Sequence, residues 1–512
     1  MTPRSTPPPL RAQLPPAPQR ERVEISPDEL VSRFDALRDQ DYRLALVAAH
    51  DDGTALRVVY LLVAGTPDRR VELVVRLDPD HPQLPTLAHS SFPAGRFERE
   101  MQDLFGIQLL DHPLPRRLVL HQHWPEGWYP MRQDAAPPPS MVDSGEPYPF
   151  LTVEGPGVYE IPVGPVHAGL IEPGHFRFSV LGETILNMKA RLWFVHKGIE
   201  RLFQTRIPFA GVELAERISG DTAVGHNLAY CLAVEEAVAC QVPLAGQLLR
   251  AVLLELERLY NHTADIGALC NDIAYGIAHA HAMRVRERLL RLNQRVTGHR
   301  LLRGAIVPGG TTVNALPAIS ELEDIVNDVT EISQLALGNS TVVDRFTGTA
   351  VLDRQIAGDL GTLGYVARGS GIDLDARRDH PFVELTPALR TPVRSEGDVM
   401  ARFVLRGQEI DASLALLQWL LQQLDQLGDA PTLARIEPPT TASSGVGIVE
   451  AWRGTLVHRI ELAADGTLTR VKVVDPSFFN WPALAPALRD TIVPDFPLAN
   501  RSFGLSHAGN DL

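Results

Sequence analysis

The chain has 512 residues, of which 45% are hydrophobic and 21% are charged. These proportions are typical of a soluble globular protein with two or three domains. The 48 Lys and Arg residues are outnumbered by 62 Asp and Glu, and the net charge of −14 excludes a general nucleic-acid binder. Three cysteines cannot form a disulfide framework, which favours a reducing, cytosolic compartment.

Residues 1–20 form a proline-rich tail with expected polyproline II character. This tail has no apolar core of the kind that a signal peptide needs. Elsewhere, no run approaches the ~18 uninterrupted apolar residues of a membrane-spanning helix. We therefore expect the protein to reach a membrane only through partner subunits.

Residues 21–134 predict a small α+β domain. Ser26 is the expected N-cap of a first helix, because Pro27 follows at the first helical position. Alternating and amphipathic patterns predict three strands and a second helix, which would pack as one sheet with helices on a single face. The predicted strands are 42–49, 56–64 and 71–77, and the predicted helix is 94–105.

A linker rich in proline and glycine at 135–149 separates this unit from a larger domain at 150–512. The larger domain is expected to be mainly helical, a bundle capped by a small β-sheet formed from both ends of the domain. The predicted helices are 183–204, 225–240, 246–266, 281–297, 318–337 and 409–427. The predicted strands are 160–163, 176–180, 447–449, 456–462 and 467–474.

General catalytic motifs, such as a phosphate-binding loop or a dinucleotide fingerprint, do not occur in the sequence. Cys231, Cys240 and Cys270 lie in helical patterns without metal-ligand spacing, so we expect buried core thiols. His226 starts a predicted helix, where it could be a ligand or could bond to backbone or a carboxylate.

Four polar residues of one predicted helix share a face, because their spacing is three or four. They predict a polar network between helices, with a proton path or a partner contact as the alternative interpretation. These residues are Glu255, Arg258, His262 and Asp265.

The stretch 95–134 contains D-L-F-G-I and H-P-x-x-R-R, and it resembles the 30-kDa-type subunit of respiratory complex I. From residue 164 onward the chain resembles the 49-kDa-type quinone-site subunit and the large subunits of group 4 nickel–iron hydrogenases. The fused order resembles hydrogenase-4 and formate hydrogenlyase large subunits, and it implies a nickel–iron hydrogenase large-subunit-like fold. The matching stretches are 172–178, 195–200, 217–222, 227–235, 256–262 and 367–373.

The resemblance also identifies a departure from the hydrogenase pattern. The four positions where that family has metal-binding cysteines hold hydroxyl and amide side chains, which are poor substitutes for thiolates at neutral pH. We therefore expect no resident metal and no nickel–iron chemistry. The four degenerate positions are Ser219, Thr222, Ser477 and Asn480.

In the complex I branch, the resemblance implies that a histidine and a tyrosine hydrogen-bond the quinone carbonyls. His167, in a G-P-x-H pattern, matches the histidine, whereas the tyrosine position falls on Gly220. Arg368 matches an arginine that sits over the metal centre in hydrogenases, and here it would hold an acidic residue or line a polar cavity. The replacements for the tyrosine that remain open are Asp221, Thr222, His226 and Tyr230.

The resemblance implies a subunit on the cytoplasmic face of the inner membrane, in an NADH dehydrogenase-like or hydrogenase-like complex. Iron–sulfur clusters on a small partner subunit would bring NADH- or formate-derived electrons, and a quinone would accept them at the cavity. Antiporter-like and other integral membrane subunits would be further partners. The alternatives are a non-catalytic scaffold with a vestigial site, and a remodelled metal site of Asp221, His226 and Asp475.

The hydrogenase relatives are often trimmed after their last cysteine pair once nickel is bound. Here 32 residues follow Asn480 (512 − 480). Without the metal ligands, we expect this tail to be retained and to pack on the complex, with a neighbouring subunit as one surface open to it.

Overall fold

The computed structural model describes residues 12–15, 19–138, 140–141, 145, 148–168, 171–385 and 388–512. Most of the predicted polyproline tail and part of the predicted linker lie outside the described residues. The predicted class is confirmed, because the chain combines small sheets with a mainly helical second part. No helix in the described part of the chain is both long enough and apolar enough to cross a membrane.

A four-stranded sheet forms the N-terminal part, in the order β1-β4-β3-β2. The three predicted strands are present, and their apolar residues are buried. The first strand was not predicted, because its sequence R-E-R-V-E-I has only two apolar residues; it pairs in parallel with the free edge of β4. The strands are β1 Arg20–Ile25, β2 Arg43–Asp51, β3 Leu56–Ala64 and β4 Arg69–Leu77.

Two helices accompany this sheet. Helix α1 (Leu30–Arg38) follows a short 3-10 turn, in which Glu29 accepts the backbone N–H of Ser26 at 3.0 Å, as the predicted cap requires. Helix α2 (Phe92–Phe105) packs against β2 and ends at Gly106 in the left-handed region. A small parallel pair, β5 (Gln83–Pro85) and β6 (Gln108–Leu110), lies beside α2.

The predicted helix at 183–204 is wrong. Its first half is strand β9 (Thr184–Arg191), and only Ile199–Phe203 is helical, as α3. Gly182 adopts a φ of 62° in the turn that joins β8 to β9, and β9 pairs along β8. This tertiary pairing overrides the three-to-four periodicity of the apolar residues. The full sheet is β7 (Val158–Val163), β8 (His175–Leu181) and β9.

The other five predicted helices are present, and some of their ends are shifted by several residues. Helix α6 packs against α7 and α13, which places the predicted polar face of α6 between helices. They are α5 Ala223–Ala237, α6 Leu244–Asp272, α7 Gly276–Thr297, α8 Ile319–Leu337 and α13 Val399–Leu427. Shorter helices are α4 Pro208–Ala215, α9 Ser340–Phe346, α10 Arg354–Asp359, α11 Gly364–Gly369 and α12 Ala376–Asp379, and β10 (Ile306–Val307) pairs with β11 (Gly310–Thr311).

The strands near the end of the chain form a separate three-stranded sheet and do not join the sheet of β7, β8 and β9. The predicted single sheet from both ends is therefore two sheets, and among the described residues the two ends pair only at an antiparallel bridge between Thr184 of β9 and Ile492. The sheet is β12 (Ser443–Ala451), β13 (Gly454–Leu462) and β14 (Leu468–Val474). Three helices follow: α14 Pro476–Ala487, α15 Phe496–Phe503 and α16 His507–Asp511.

Helix α5 lies directly on β12 because two glycines remove the side chains between them. A Cβ on Gly445 would lie 1.9 Å from the carbonyl oxygen of Ala233, and one on Gly447 would lie 1.9 Å from that of Ala229. No other residue fits at either position without separating helix and strand. This contact brings the residues at the start of α5 beside β13 and the end of β14.

Buried ion pairs join the N-terminal sheet to the last sheet. Arg459 of β13 bonds Glu72 of β4 at 2.8 Å and Glu461 at 2.8 Å, and Arg57 of β3 bonds Glu461 at 2.8 Å. Arg459 and Glu72 are fully buried. Each charge therefore depends on its partner across the contact between the two parts.

Candidate functional site

The degenerate positions lie where two helices begin. Ser219 and Thr222 precede α5, and Asp475 caps α14 by accepting the N–H of Ser477 at 2.7 Å. The β12–β13 turn, with Trp452 and Arg453, closes over this point: the Trp452 indole donates to the carbonyl oxygen of Asp221 at 3.0 Å. Residues from three distant segments thus meet at one site.

A buried line of three side chains runs through the site. Asp475 lies 3.1 Å from His226 Nε2, and His226 Nδ1 lies 3.1 Å from His458 Nε2. Burial, and then the neighbouring His226, hold the pKa of His458 well below its usual range. His458 is therefore neutral at physiological pH, and its Nδ1 has no hydrogen-bond partner among the described residues.

Asp221 forms the second cluster. Both of its carboxylate oxygens accept from the Arg453 guanidinium at 2.6 Å, and the hydroxyls of Ser219 and Thr222 donate to it at 3.0 Å. Desolvation opposes the carboxylate charge, but Arg453 outweighs it and lowers the pKa of Asp221 to about 2. Asp221 is thus an anion held by a paired arginine.

The remaining degenerate positions also bond to protein groups. Ser506, which caps α16, joins two of them: its hydroxyl lies 2.9 Å from that of Ser219, and its N–H donates to Ser477 Oγ at 3.0 Å. Asn480 exchanges two hydrogen bonds with the backbone of Leu363, at 2.8 and 3.1 Å. These donors and acceptors do not fit a nickel–iron centre, which needs anionic sulfur ligands.

The remodelled metal site is not assembled. His226 and Asp475 meet, but Asp221 is held by Arg453 instead. Across the described residues, no group of three or more His, Cys, Asp and Glu is placed to hold a metal ion.

The two predicted quinone donors lie apart from these clusters. His167 is half-buried, and its Nε2 lies 2.8 Å from the carbonyl oxygen of Gly174. Tyr230 is fully buried and donates its hydroxyl to the carbonyl oxygen of Pro208 at 2.7 Å, so its only donor is already engaged. Neither forms a hydrogen bond to Asp221, Thr222 or His226 within the described residues.

His507, at the start of α16, is an ionisable neighbour of His167. Burial, and then the charge of His167, lower the pKa of His507 to about 4. Its Nδ1 is buried and has no partner among the described atoms, and the Trp481 ring lies 4.7 Å from the imidazole centre. His507 thus presents a neutral, unsatisfied nitrogen among aromatic rings.

Arg368 is fully buried against carboxylates. Its guanidinium lies 2.8 Å from Glu409, 2.9 Å from Glu450 and 3.5 Å from Asp375. Of the two expectations for this arginine, the structure shows the one in which it holds acidic residues.

The polar face of α6 joins the same cluster. Glu255 lies 3.0 Å from Arg377 of α12, and His262 lies 2.7 Å from Glu409 of α13. Asp265 lies 2.9 Å from Arg406 of α13. The interhelical network predicted from the spacing is therefore present.

The C-terminal helix packs into this chain rather than standing free. The Leu512 carbonyl oxygen accepts the N–H of Lys197 at 2.8 Å, and Glu172 accepts that of Ala508 at 2.9 Å. All residues of α16 are buried. Retention of this tail stays a prediction.

Four site residues were missed by the sequence analysis: Arg453, His458, Ser506 and His507. Each lies on a strand, turn or helix start without a motif of its own. Arg453 follows a tryptophan in a turn, and His458 sits in an alternating strand whose polar positions look solvent-facing. The packing of α5 on the last sheet brings Arg453 to Asp221 and His458 to His226.

Glu257 of α6 supports the start of α5 and gives a pH prediction. Its carboxylate accepts the N–H groups of Val224 at 2.7 Å and Gly225 at 3.0 Å. Burial raises the pKa of Glu257 from 4.5 to about 8. The folded state thus holds this proton more tightly, so its stabilising contribution is full below pH 4.5 and is lost as pH rises through 8.

We expect the Glu257→Gln variant to flatten the decline of the unfolding free energy between about pH 5 and 8, where one such group contributes up to about 1.4 kcal/mol per pH unit. Urea unfolding at four pH values measures this slope. Glu213→Gln, at a side chain 75% exposed, is the matched control and should keep the slope. An unchanged slope in Glu257→Gln would contradict the assignment.

Comparisons with known proteins agree with this arrangement. Residues 272–439 match the family described as respiratory-chain NADH dehydrogenase, 49 Kd subunit, and residues 23–140 match the 30 Kd subunit family. A solved structure of a membrane-bound sulfane sulfur reductase, an archaeal respiratory membrane complex, has a similar fold. Its TM-score is 0.63 at 23% identity, covering 70% of this chain and 99% of that one.

Curated relatives match most of the chain. Hydrogenase-4 component G of Escherichia coli is 32% identical over 82% of this chain and 74% of its own length. Formate hydrogenlyase subunit 5 of the same organism is 32% identical over 83% and 76%. The C/D fusion protein of NADH-quinone oxidoreductase from Phocaeicola vulgatus is 26% identical over 88% and 92%. The chain therefore belongs to the family of fused 30-kDa-type and 49-kDa-type complex I subunits, which includes hydrogenase-4 component G and formate hydrogenlyase subunit 5.

Proposed function

We propose that this chain is a peripheral subunit of a membrane-associated complex I-like oxidoreductase, on the cytoplasmic face of the inner membrane. Two electrons from an iron–sulfur partner, derived from NADH or formate, and two protons convert a quinone-type acceptor to its quinol. No nickel–iron hydrogenase chemistry takes part. Integral membrane subunits of the antiporter type anchor the complex.

One observation carries this proposal: all four degenerate positions bond to protein oxygen or nitrogen atoms. Ser219, Ser477 and Ser506 form one connected set, and Asn480 pairs with backbone. Such groups are protonated or neutral, so they supply no thiolate. Within this family, these residues therefore fit the quinone-reducing branch better than the nickel–iron hydrogenase branch.

We assign the binding of the quinone-type acceptor to His167 and His507. A quinone headgroup needs apolar walls and a few hydrogen-bond donors aimed at its carbonyl oxygens. His167 is half-buried, and the neighbouring His507 keeps an unpaired ring nitrogen beside Trp481 and Phe176. These two imidazoles supply the polar atoms, and the rings supply the apolar contact.

The test is reduction of a soluble quinone analogue by the complex purified with its natural partners. We expect His167→Ala to lower the rate at least tenfold, because the imidazole that hydrogen-bonds the quinone headgroup through the ring nitrogen not engaged with Gly174 is lost. His81→Ala, at a side chain 82% exposed, should leave the rate unchanged. Equal rates for the two variants would refute the assignment of His167.

A scaffold that couples an iron–sulfur subunit to proton-translocating membrane subunits is the second candidate. This candidate is favoured because polar groups of the site bond to one another: Asp221 is held by Arg453 and His226 by Asp475. In that case, variants at His167 and His507 would leave electron transfer intact, while loss of the whole chain would abolish assembly of the complex.

A further inference from the structure

An interdomain cavity of about 260 Å³ lies on the side of α2 that faces the first sheet of the larger region. Its walls come from α2, the H-P-x-x-R-R turn, β9 and the part of α14 that follows Asn480, and none of the four degenerate positions lines it. Apolar side chains, among them Met188, Trp193 and Trp481, form much of its lining. We name it the arginine cavity after the four arginines that line it: Arg96, Arg99, Arg116 and Arg191.

The hydrogen bonds of these arginines go to neutral oxygens. Arg99 donates to the carbonyl oxygens of Arg116 at 2.7 Å and Arg117 at 3.1 Å, and Arg116 donates to that of Pro149 at 2.6 Å. Arg96 bonds to the carbonyl oxygen of Phe478, and Arg191 to those of Leu118 and Leu120. Carbonyl groups satisfy most of the donors but carry no negative charge that would pair with the guanidinium groups.

The carboxylates near the arginine cavity attract its charges without direct contact, and their hydrogen bonds go to other groups. Asp103 accepts the N–H groups of 118, 119 and 120 at 2.7 to 3.1 Å. Glu100 is paired with Lys472, and Asp511 accepts the N–H of Val195 at 3.0 Å. Within the described part of the chain, none of the four arginines forms an ion pair with them.

Burial of these positively charged side chains costs free energy. Arg96, Arg99 and Arg191 are 7%, 7% and 4% exposed. Burial, and then the neighbouring Arg99, lower the pKa of Arg96 to about 9, and burial lowers that of Arg191 to about 10. Elsewhere in this protein, buried arginines such as Arg368 and Arg459 are compensated by carboxylates. Buried Arg402 donates to neutral oxygens instead, and the arginine cavity gathers four guanidinium groups of that second kind.

Two donor atoms remain open. The Nε atoms of Arg191 and Arg116 are buried and have no hydrogen-bond partner among the described residues. Guanidinium groups present paired donors that match the oxygens of phosphate and carboxylate groups. At the edge of the cavity, Phe92 and Leu114 are 46% and 39% exposed, so an apolar surface surrounds the opening.

We infer that the arginine cavity binds a phosphate-class oxyanion, which bridges the 30-kDa-like and 49-kDa-like parts of the chain. Arg96, Arg99 and Arg116 come from the first part and Arg191 from the second, so one bound anion neutralises charges on both. Inorganic phosphate and a phospholipid headgroup share this chemistry. A ligand bound only to the folded state raises the midpoint of thermal unfolding.

The test uses the purified full-length chain and two probes at constant ionic strength. Calorimetric titration with inorganic phosphate tests the free anion, and flotation with phosphatidylcholine vesicles, with and without phosphatidylglycerol, tests the lipid headgroup. We expect one saturable site for at least one probe. Thermal unfolding with the same probes should show a rise of several degrees in the midpoint.

Arg116→Gln is the principal variant, because Arg116 is only partly buried and donates a single hydrogen bond to Pro149. We expect it to weaken binding at least tenfold. Arg191→Lys keeps the charge and should retain part of the binding, while Arg435→Gln removes an equal charge at a side chain 86% exposed and should bind normally. Absence of saturable binding for both probes, or equal binding by Arg116→Gln and Arg435→Gln, would overturn the inference.

Discussion

Replacement of Arg368 by methionine is expected to lower the free energy of unfolding by about 3–5 kcal/mol. The guanidinium is fully buried and lies within 3.5 Å of Glu409, Glu450 and Asp375. Without it, carboxylates remain in a dry interior with less positive charge to compensate them. Urea unfolding of the full chain, followed by circular dichroism, measures the loss.

Two further variants make this result specific. Arg394→Met removes an arginine that pairs with Glu396 at the surface, and we expect a change within about 0.5 kcal/mol. Glu409→Gln combined with Arg368→Met should recover part of the loss, because it removes one of the uncompensated charges. A loss below about 1 kcal/mol for Arg368→Met would show that the network does not stabilise the helical core.

Replacement of Arg459 by methionine is expected to uncouple the N-terminal sheet from the last sheet. Arg459 is the buried cation between Glu72 and Glu461, at 2.8 Å from each. We expect a loss of about 3–5 kcal/mol and faster amide exchange in β4 and β13. Hydrogen exchange followed by mass spectrometry locates the effect, and denaturation measures it.

Arg435→Met is the control for this experiment, because its ion pair with Glu437 is solvent-exposed. Its exchange pattern should match that of the unmodified protein. Glu72→Gln together with Arg459→Met should be more stable than Arg459→Met alone, since the buried carboxylate is then neutral. Uniform loss of protection over the whole chain, instead of at the contact between the two sheets, would contradict the interpretation.

Local patterns predicted secondary structure well where each segment buries one regular face. Strand β3 (Leu56–Ala64) has the predicted bounds, and the long helices α6 and α7 follow their apolar repeats. The failure at 183–204 has a physical cause: Ile185 and Met188 fit a helix by spacing, but their backbone pairs with β8. The spacing of apolar residues within one segment carries no information about its pairing with a strand that lies earlier in the chain.

In the candidate site too, the sequence predicted some residues and only the structure revealed others. The motifs predicted that Ser219, Thr222, Ser477 and Asn480 share one location, and the structure gives each of them a hydrogen-bond partner within the protein. No motif pointed to Ser506, which joins two of these positions from the far end of the chain. The arginine cavity was missed for the same reason, because Arg191 lies about 75 residues beyond Arg116 (191 − 116).

By itself, the sequence determined the family, the α+β class and the replacement of thiolates by hydroxyl and amide groups, since these properties depend on residue identity and local spacing. Only the tertiary structure decided which charges are paired: Asp221 with Arg453 and Arg368 with Glu409 and Glu450, whereas the arginines of the arginine cavity form no ion pair within the described chain. The energy of a buried charge depends on its neighbours in space, which come from distant segments and carry no joint signal along the chain.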